Sequence, residues 1–265
     1  MNLFWREMKA NRKSLIIWGI GLLFMVVAGM AKYEGYSSSG QSINELISQM
    51  PKSLQVIIGT GDLDLSTAIG FYGMLFYYLL LLAAIHALML GANIIAKEER
   101  DKTAEFLMAK PISRTRIISS KLLAALVNVV IFNLVTLVLS LAMVSHYQQT
   151  GEQLDDIYLL MAGMFLVQLI FLAVGAVIAA VGKRPKRAAA LGTVLLLLTY
   201  LLSIAVDLNE KIEWLQYVTP FKYFEAKRVL ADGTLETTFV AITIVVVTIL
   251  IAITYHFYQK RDLQI

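Results

Sequence analysis

Six uninterrupted apolar runs decide what this chain can become: residues 14–31, 68–96, 122–144, 157–181, 188–206 and 239–258. An α-helix rises 1.5 Å per residue, so each run approaches or exceeds the ~30 Å hydrocarbon core of a bilayer. Such runs are longer than a core strand or an ordinary core helix requires. Across the 265 residues 58% are hydrophobic and 16% charged, whereas a soluble domain is nearer half apolar and a quarter charged. The expected fold is an all-α membrane protein of six transmembrane helices. Cysteine is absent, which excludes disulfides and thiolate chemistry.

The net charge of +4 would suggest nucleic acid on a soluble protein, but here topology explains it, and no nucleic-acid partner is expected. Of the 23 Lys and Arg residues, 17 lie before run one, between runs two and three, between runs four and five, or after run six. Only 6 of the 19 acidic residues do. Under the positive-inside rule these segments face the cytoplasm, which places both termini there in a multi-pass cell-membrane protein.

Between the runs, several segments carry their own signals. Residues 1–13 interleave Arg6, Lys9, Arg12 and Lys13 with Leu3, Phe4, Trp5 and Met8. They read as an N-terminal amphipathic helix on the membrane surface, or as a solvated basic tail. Gly29-Met30-Ala31 offers small residues of the kind a signal peptidase cuts after, but the preceding run exceeds a usual signal core, so span one is expected to stay. A weakly amphipathic helix is expected through Ile43, Leu46, Ile47 and Met50, and Gly59-Thr60-Gly61-Asp62 follows as a turn. Span two, residues 68–96, would reach ~43 Å as a helix and must tilt or project from the bilayer. Residues 207–237 hold Trp214, Tyr217, Pro220, Phe221, Tyr223 and Phe224, a composition suited to a re-entrant segment that dips into the interface before span six; a plain loop is the alternative.

Catalytic constellations are sparse. His86, His146 and His256 fall in different spans or loops, without the paired spacing of a zinc hydrolase. Asp62 sits in a G-x-G-D pattern but has no partner aspartate in any span. No P-loop occurs, so the chain is not expected to be an enzyme or to hold a cofactor or metal. Polar groups within the spans are His86, Asn93, Asn128, Asn133 and Gln168, which either line a pathway or hydrogen-bond between helices. Ala83, Ala87 and Gly91 repeat every four residues on span two, a small-residue stripe for helix contact within the subunit or across a dimer.

The segment Glu98–Lys121, between spans two and three, is the long charged stretch flanked by strongly apolar ones. Thr103 is placed to cap a short helix, with Glu105 in its first turn and Ala104, Leu107 and Met108 forming an apolar face. Pro111 ends it, and Ser113 caps a second helix that runs through Arg114, Arg116 and Lys121. A capped amphipathic helix in a basic loop is a shape for a partner to grip.

Glu99, Thr103, Glu105, Leu107, Pro111, Ser113, Arg114 and Lys121 resemble the E-x-x-x-G-T-x-E-x-L-x-x-x-P-x-S-R signature, with its downstream Lys, of ABC-2 type transporter permeases. Lys102 departs from it, standing where the family usually has Gly. The ending Lys260-Arg261-Asp262-Leu263 is also similar to the family's. The resemblance covers residues 1–265 as a single transmembrane domain. It implies a cytoplasmic coupling helix that docks on a separate ABC ATPase, present in two copies and holding ATP and Mg. It also implies a second permease, identical or homologous, alongside membrane lipid. Leu107 and Met108 would be the apolar knob, Arg114 and Arg116 its polar rim, and the long second span a lever. The implied activity is export of a hydrophobic or amphipathic cargo such as a lipid, peptide antibiotic or drug; sodium extrusion is also known in the family. A reading from another class is a non-transporting membrane sensor or immunity scaffold that recruits its partner through the same loop.

Overall fold

The computed structural model describes residues 3–37, 43–61, 63–103, 105, 112–147, 154–182 and 184–260. Six helices are long and apolar enough to cross a membrane: α1 (Leu3–Ser37), α4 (Ala68–Arg100), α5 (Arg114–Tyr147), α6 (Asp155–Val181), α7 (Ala188–Leu208) and α9 (Thr237–Lys260). Each contains one of the six apolar runs. Short helices α2 (Ile43–Ser48) and α3 (Lys52–Ile58) follow α1, and α8 (Ala226–Asp232) precedes α9. The helix expected from Ile43 onwards is α2.

Helices α4 and α6 form the central pair and share the most extensive contact in the fold. Helix α1 packs on α5 and α4, α7 on α4 and α6, and α9 chiefly on α6. Burial follows this order: the apolar stretch of α4 is 72% buried, against 17% for those of α1 and α9. The outer helices therefore present apolar faces away from the protein, such as Ile16, Ile20 and Phe24 on α1 and Leu191, Leu198 and Leu201 on α7. In a bilayer those faces meet lipid without a solvation cost.

The central pair is close because glycine faces carbonyl in both directions. A Cβ on Gly91 of α4 would lie 2.2 Å from the Leu172 carbonyl oxygen of α6, and one on Gly175 of α6 would lie 2.2 Å from the Leu88 carbonyl oxygen of α4. Ala83 and Ala87 are fully buried along with Gly91. At Gly91 the small-residue stripe thus serves a contact inside the subunit.

The N-terminal segment corrects one expectation. Residues 3–13 do not form a separate helix; they are continuous with span one in α1. The reason lies in tertiary contacts: Leu3, Phe4 and Met8 pack against the apolar cluster around Ile94 and Ile117, and Glu7 is completely buried. Lys9, Arg12 and Lys13 remain exposed on the other side.

At the end of the bundle opposite the termini, residues 207–237 form two 3-10 segments, Glu210–Tyr217 and Pro220–Lys222, and then α8. Phe221 lies between Phe171 and Tyr200, at 5.2 and 5.4 Å between ring centres, and Tyr223 stacks on Phe239 at 4.8 Å. Trp214 and Tyr217 point outward. Three of the segment's five aromatics, Phe221, Tyr223 and Phe224, are therefore core.

Candidate functional site

The two ends of the 98–121 loop are held together by a buried ion network. Lys121, on the second turn of α5, has no exposed surface. Its ammonium donates to Glu98 Oε2 and to the Ile94 carbonyl oxygen, both at 2.6 Å, and lies 3.8 Å from Glu7 Oε1. Lys97 pairs with Glu7 Oε2. Arg6 bridges the carboxylates, reaching Glu98 Oε1 at 3.1 Å and Glu7 Oε1 at 3.2 Å. Two carboxylates and three cations thus join α1, α4 and α5 at one level. A charge this deeply buried is tolerable only with such partners. Lys121 belongs to the signature-like residues; Glu98, rather than the signature position Glu99, is its partner, and Glu99 is half-buried beside it in the chain. Arg6, Glu7, Lys97 and Glu98 carried no sequence signal of their own, because their pairing spans about ninety positions.

Where α4 ends, the chain turns sharply. Asp101 donates its N–H to the Lys97 carbonyl at 2.8 Å, and Thr103 donates its own to Glu98 at 2.7 Å. Lys102 between them has a φ of 55°, the left-handed conformation that favours glycine. The residue that departs from the signature therefore sits in a conformation that a Gly would adopt without strain. Lys102→Gly is expected to raise stability by about 1 kcal/mol, the approximate cost of left-handed geometry in an L-residue. Chemical denaturation in detergent would measure it, with Lys102→Ala showing no such gain.

Ser113 caps α5 as expected, its hydroxyl accepting the Arg116 N–H at 3.3 Å. Arg114 donates to the Gln259 carbonyl oxygen at 2.8 Å, and Ser119 meets Tyr255 at 2.7 Å, so α5 is also tied to the end of α9. Arg116 and Glu105 are exposed, as is Thr103. Leu107, Met108 and Pro111, and with them the apolar face of the expected coupling helix, lie outside the described residues.

The polar residues of the spans do not converge. Asn133 donates to Gln168 Oε1 at 3.2 Å and to the Met161 carbonyl at 3.1 Å, linking α5 to α6. Asn128 donates to its own helix at Ala124 and to Met8 Sδ at 3.2 Å. Asn93 accepts from Arg100 at 2.9 Å. His86 stacks on Phe132 at 4.5 Å with Trp18 against its edge, and its Nδ1 makes no hydrogen bond among the described residues. Asn133, Gln168 and Asn128 thus serve contacts between helices. No group of His, Asp or Glu among the described residues could hold a metal ion.

A second charged cluster closes the opposite end. Lys222 is buried, and its ammonium donates to Asp207 Oδ1 at 2.7 Å and to Glu225 Oε1. Lys227 donates to the same Asp207 oxygen at 2.9 Å and stands 3.5 Å from Glu225 Oε2, with Arg228 at 3.8 Å. Burial alone would lower the pKa of Lys227, but Glu225 and Asp207 outweigh it and hold the ammonium above the usual lysine range.

A long charged loop clamped between two spans, in a six-helix membrane protein, is the arrangement the resemblance implies. The model of a family described as ABC-2 family transporter protein matches residues 1–263. The chain belongs to that family. It is a multi-pass membrane permease, and the match leaves only the last two residues outside. A search of curated proteins finds no match. Membership of the family implies a partner ATPase and usually a permease pair.

Proposed function

We propose that this permease is the membrane half of an ATP-driven exporter. A separate cytoplasmic ATPase, in two copies that hold ATP and Mg, grips the 98–121 loop and swings a permease pair between inward- and outward-open states. The permease hydrolyses nothing itself. Its termini and the loop face the cytoplasm, and its cargo is hydrophobic or amphipathic, in keeping with spans that carry few polar groups.

The observation that carries this reading is the ion network under the loop. A force transmitter needs a rigid base, and Glu98 and Lys121 join the loop's two ends at 2.6 Å. Through Arg6 and Glu7 the same base includes α1. A push at the loop's tip therefore moves three helices as one body instead of bending a flexible connector. Asn133–Gln168 and the glycine-lined α4–α6 seam extend that body through the bundle.

Copurification from the native membrane tests the reading. The permease should bring down a P-loop ATPase whose hydrolysis responds to the loop. Leu107→Asp and Glu105→Arg should leave insertion and yield intact while abolishing export. Loss of a buried docking anchor costs about 2 kcal/mol or more, which is ~30-fold in ATPase affinity. Wild-type export by both variants, or a permease that carries no ATPase, would count decisively against the proposal.

A further inference from the structure

The end of the bundle opposite the termini holds a cleft of about 260 Å³. Helix α3 and the turn after it form one wall, α4 the floor, and the 207–227 segment the other wall. The turn Gly59-Thr60-Gly61, which had no role in the sequence beyond reversing the chain, shapes this cleft. Gly59 has a φ of 76° and its backbone lies against the Tyr77 ring, where a Cβ would come within 2.9 Å. Gly61, at φ 51°, would place a Cβ 3.3 Å from the Lys227 side chain. Side chains at these positions would push the α3 wall outward.

The lining divides by chemistry. Phe76, Leu80 and Phe221 are buried apolar groups on the floor and inner wall, and Lys52, Lys227, Asp207 and Glu225 supply the charge. The carboxylates are already neutralised. Asp207 and Glu225 share Lys222 and Lys227, two cations for two anions, and Arg228 stands between Glu225 at 3.8 Å and Glu236 at 4.0 Å. Lys52 adds a further cation, exposed and without an ion pair among the described residues. The cleft is therefore apolar within, its carboxylates paired, and Lys52 is the lining cation left outside an ion pair among the described residues, a combination that favours an anionic head.

We propose that this cleft binds an anionic amphiphile, its acidic head between Lys52 and Lys227 and the start of its chain against Phe76, Leu80 and Phe221. The volume suits a headgroup and a few methylenes, with the remaining chain leaving between the helices. A phosphate- or carboxylate-headed molecule could arrive as a membrane lipid or as a soluble single-chain amphiphile. The inference deepens the proposed export function: under that orientation the cleft lies on the outer side, where a released cargo or a regulatory lipid would sit.

The test uses the full-length permease alone, in phosphatidylcholine nanodiscs, titrated with dodecyl phosphate. Saturable binding is expected, about tenfold weaker in Lys52→Glu, since one charge-assisted contact becomes a repulsion. Leu80→Trp should abolish it by filling the floor. Circular dichroism and gel filtration check both folds, and the exposed Lys52 variant keeps the test decisive if the core variant fails. Phosphatidylglycerol placed in the disc separates the sources. If it competes, the site takes bilayer lipid; if it does not, the site takes water-borne amphiphiles, and the proposal stands in both cases. Equal affinity for dodecylphosphocholine or for inorganic phosphate would overturn the assignment. So would absence of saturable binding, or binding unchanged in Lys52→Glu. No ATPase is present, so failure here removes the cleft's role and leaves the coupling proposal to its own experiment.

Discussion

Replacing Lys121 by Met should cost the folded protein about 3–5 kcal/mol, the range for removing one partner of a buried ion pair. The ammonium has no exposed surface and holds Glu98 and the Ile94 carbonyl at 2.6 Å. Without it, Glu98 retains Arg6 as its one cation among the described residues, and the Ile94 carbonyl loses its side-chain donor. Glu7 keeps Lys97 and Arg6, so the damage should centre on the α4–α5 joint. Glu98→Gln made in the same chain removes the charge that has lost its buried partner and should recover part of the loss. Denaturation of the four proteins of this cycle in detergent would give the coupling energy. A coupling near zero would mean that the two side chains do not meet. Coupled transport should fall further than stability, because the loop's two ends would then move independently.

Gly91→Val should be comparably severe. Its Cβ would lie 2.2 Å from the Leu172 carbonyl oxygen and 3.2 Å from the Ala176 nitrogen, both backbone atoms of α6. Backbone cannot rotate aside as a side chain can, so the two most buried helices must separate along their shared seam. Overpacking typically costs about 1–3 kcal/mol, and the upper end applies where the obstacle is another helix's main chain. Gly175→Val should behave alike, since its Cβ would meet the Leu88 carbonyl oxygen at 2.2 Å. Gly19→Val provides the control: nothing lies within 4 Å of a Cβ there, and its unfolding midpoint should match the parent's. Equal midpoints for Gly91→Val and Gly19→Val would refute the close α4–α6 contact.

Much of the architecture was legible before any tertiary contact was known. The six apolar runs became six helices, because a bilayer leaves each span no backbone partner but itself. Ser113 was legible as a cap, since a hydroxyl three residues before an N–H needs only local geometry. The left-handed turn at Lys102 was not legible, since a Lys where the family usually has Gly left that turn open, and only the backbone shows its φ of 55°. The N-terminal segment misled: its alternating cations suggest a surface helix, and only the burial of Glu7 against α4 and α5 shows otherwise.

What the sequence alone determined was the number and order of the spans and the loop that resembles the family signature. These are local quantities, summed residue by residue along the chain. The tertiary structure decided which faces meet: Gly91 on Gly175's helix, Glu98 on Lys121 and Glu7, and Lys222 on Asp207 and Glu225. The physical reason is that lipid and protein interior are almost equally apolar. A span therefore needs no polar stripe on its lipid side, and nothing in its own periodicity says which side will be buried.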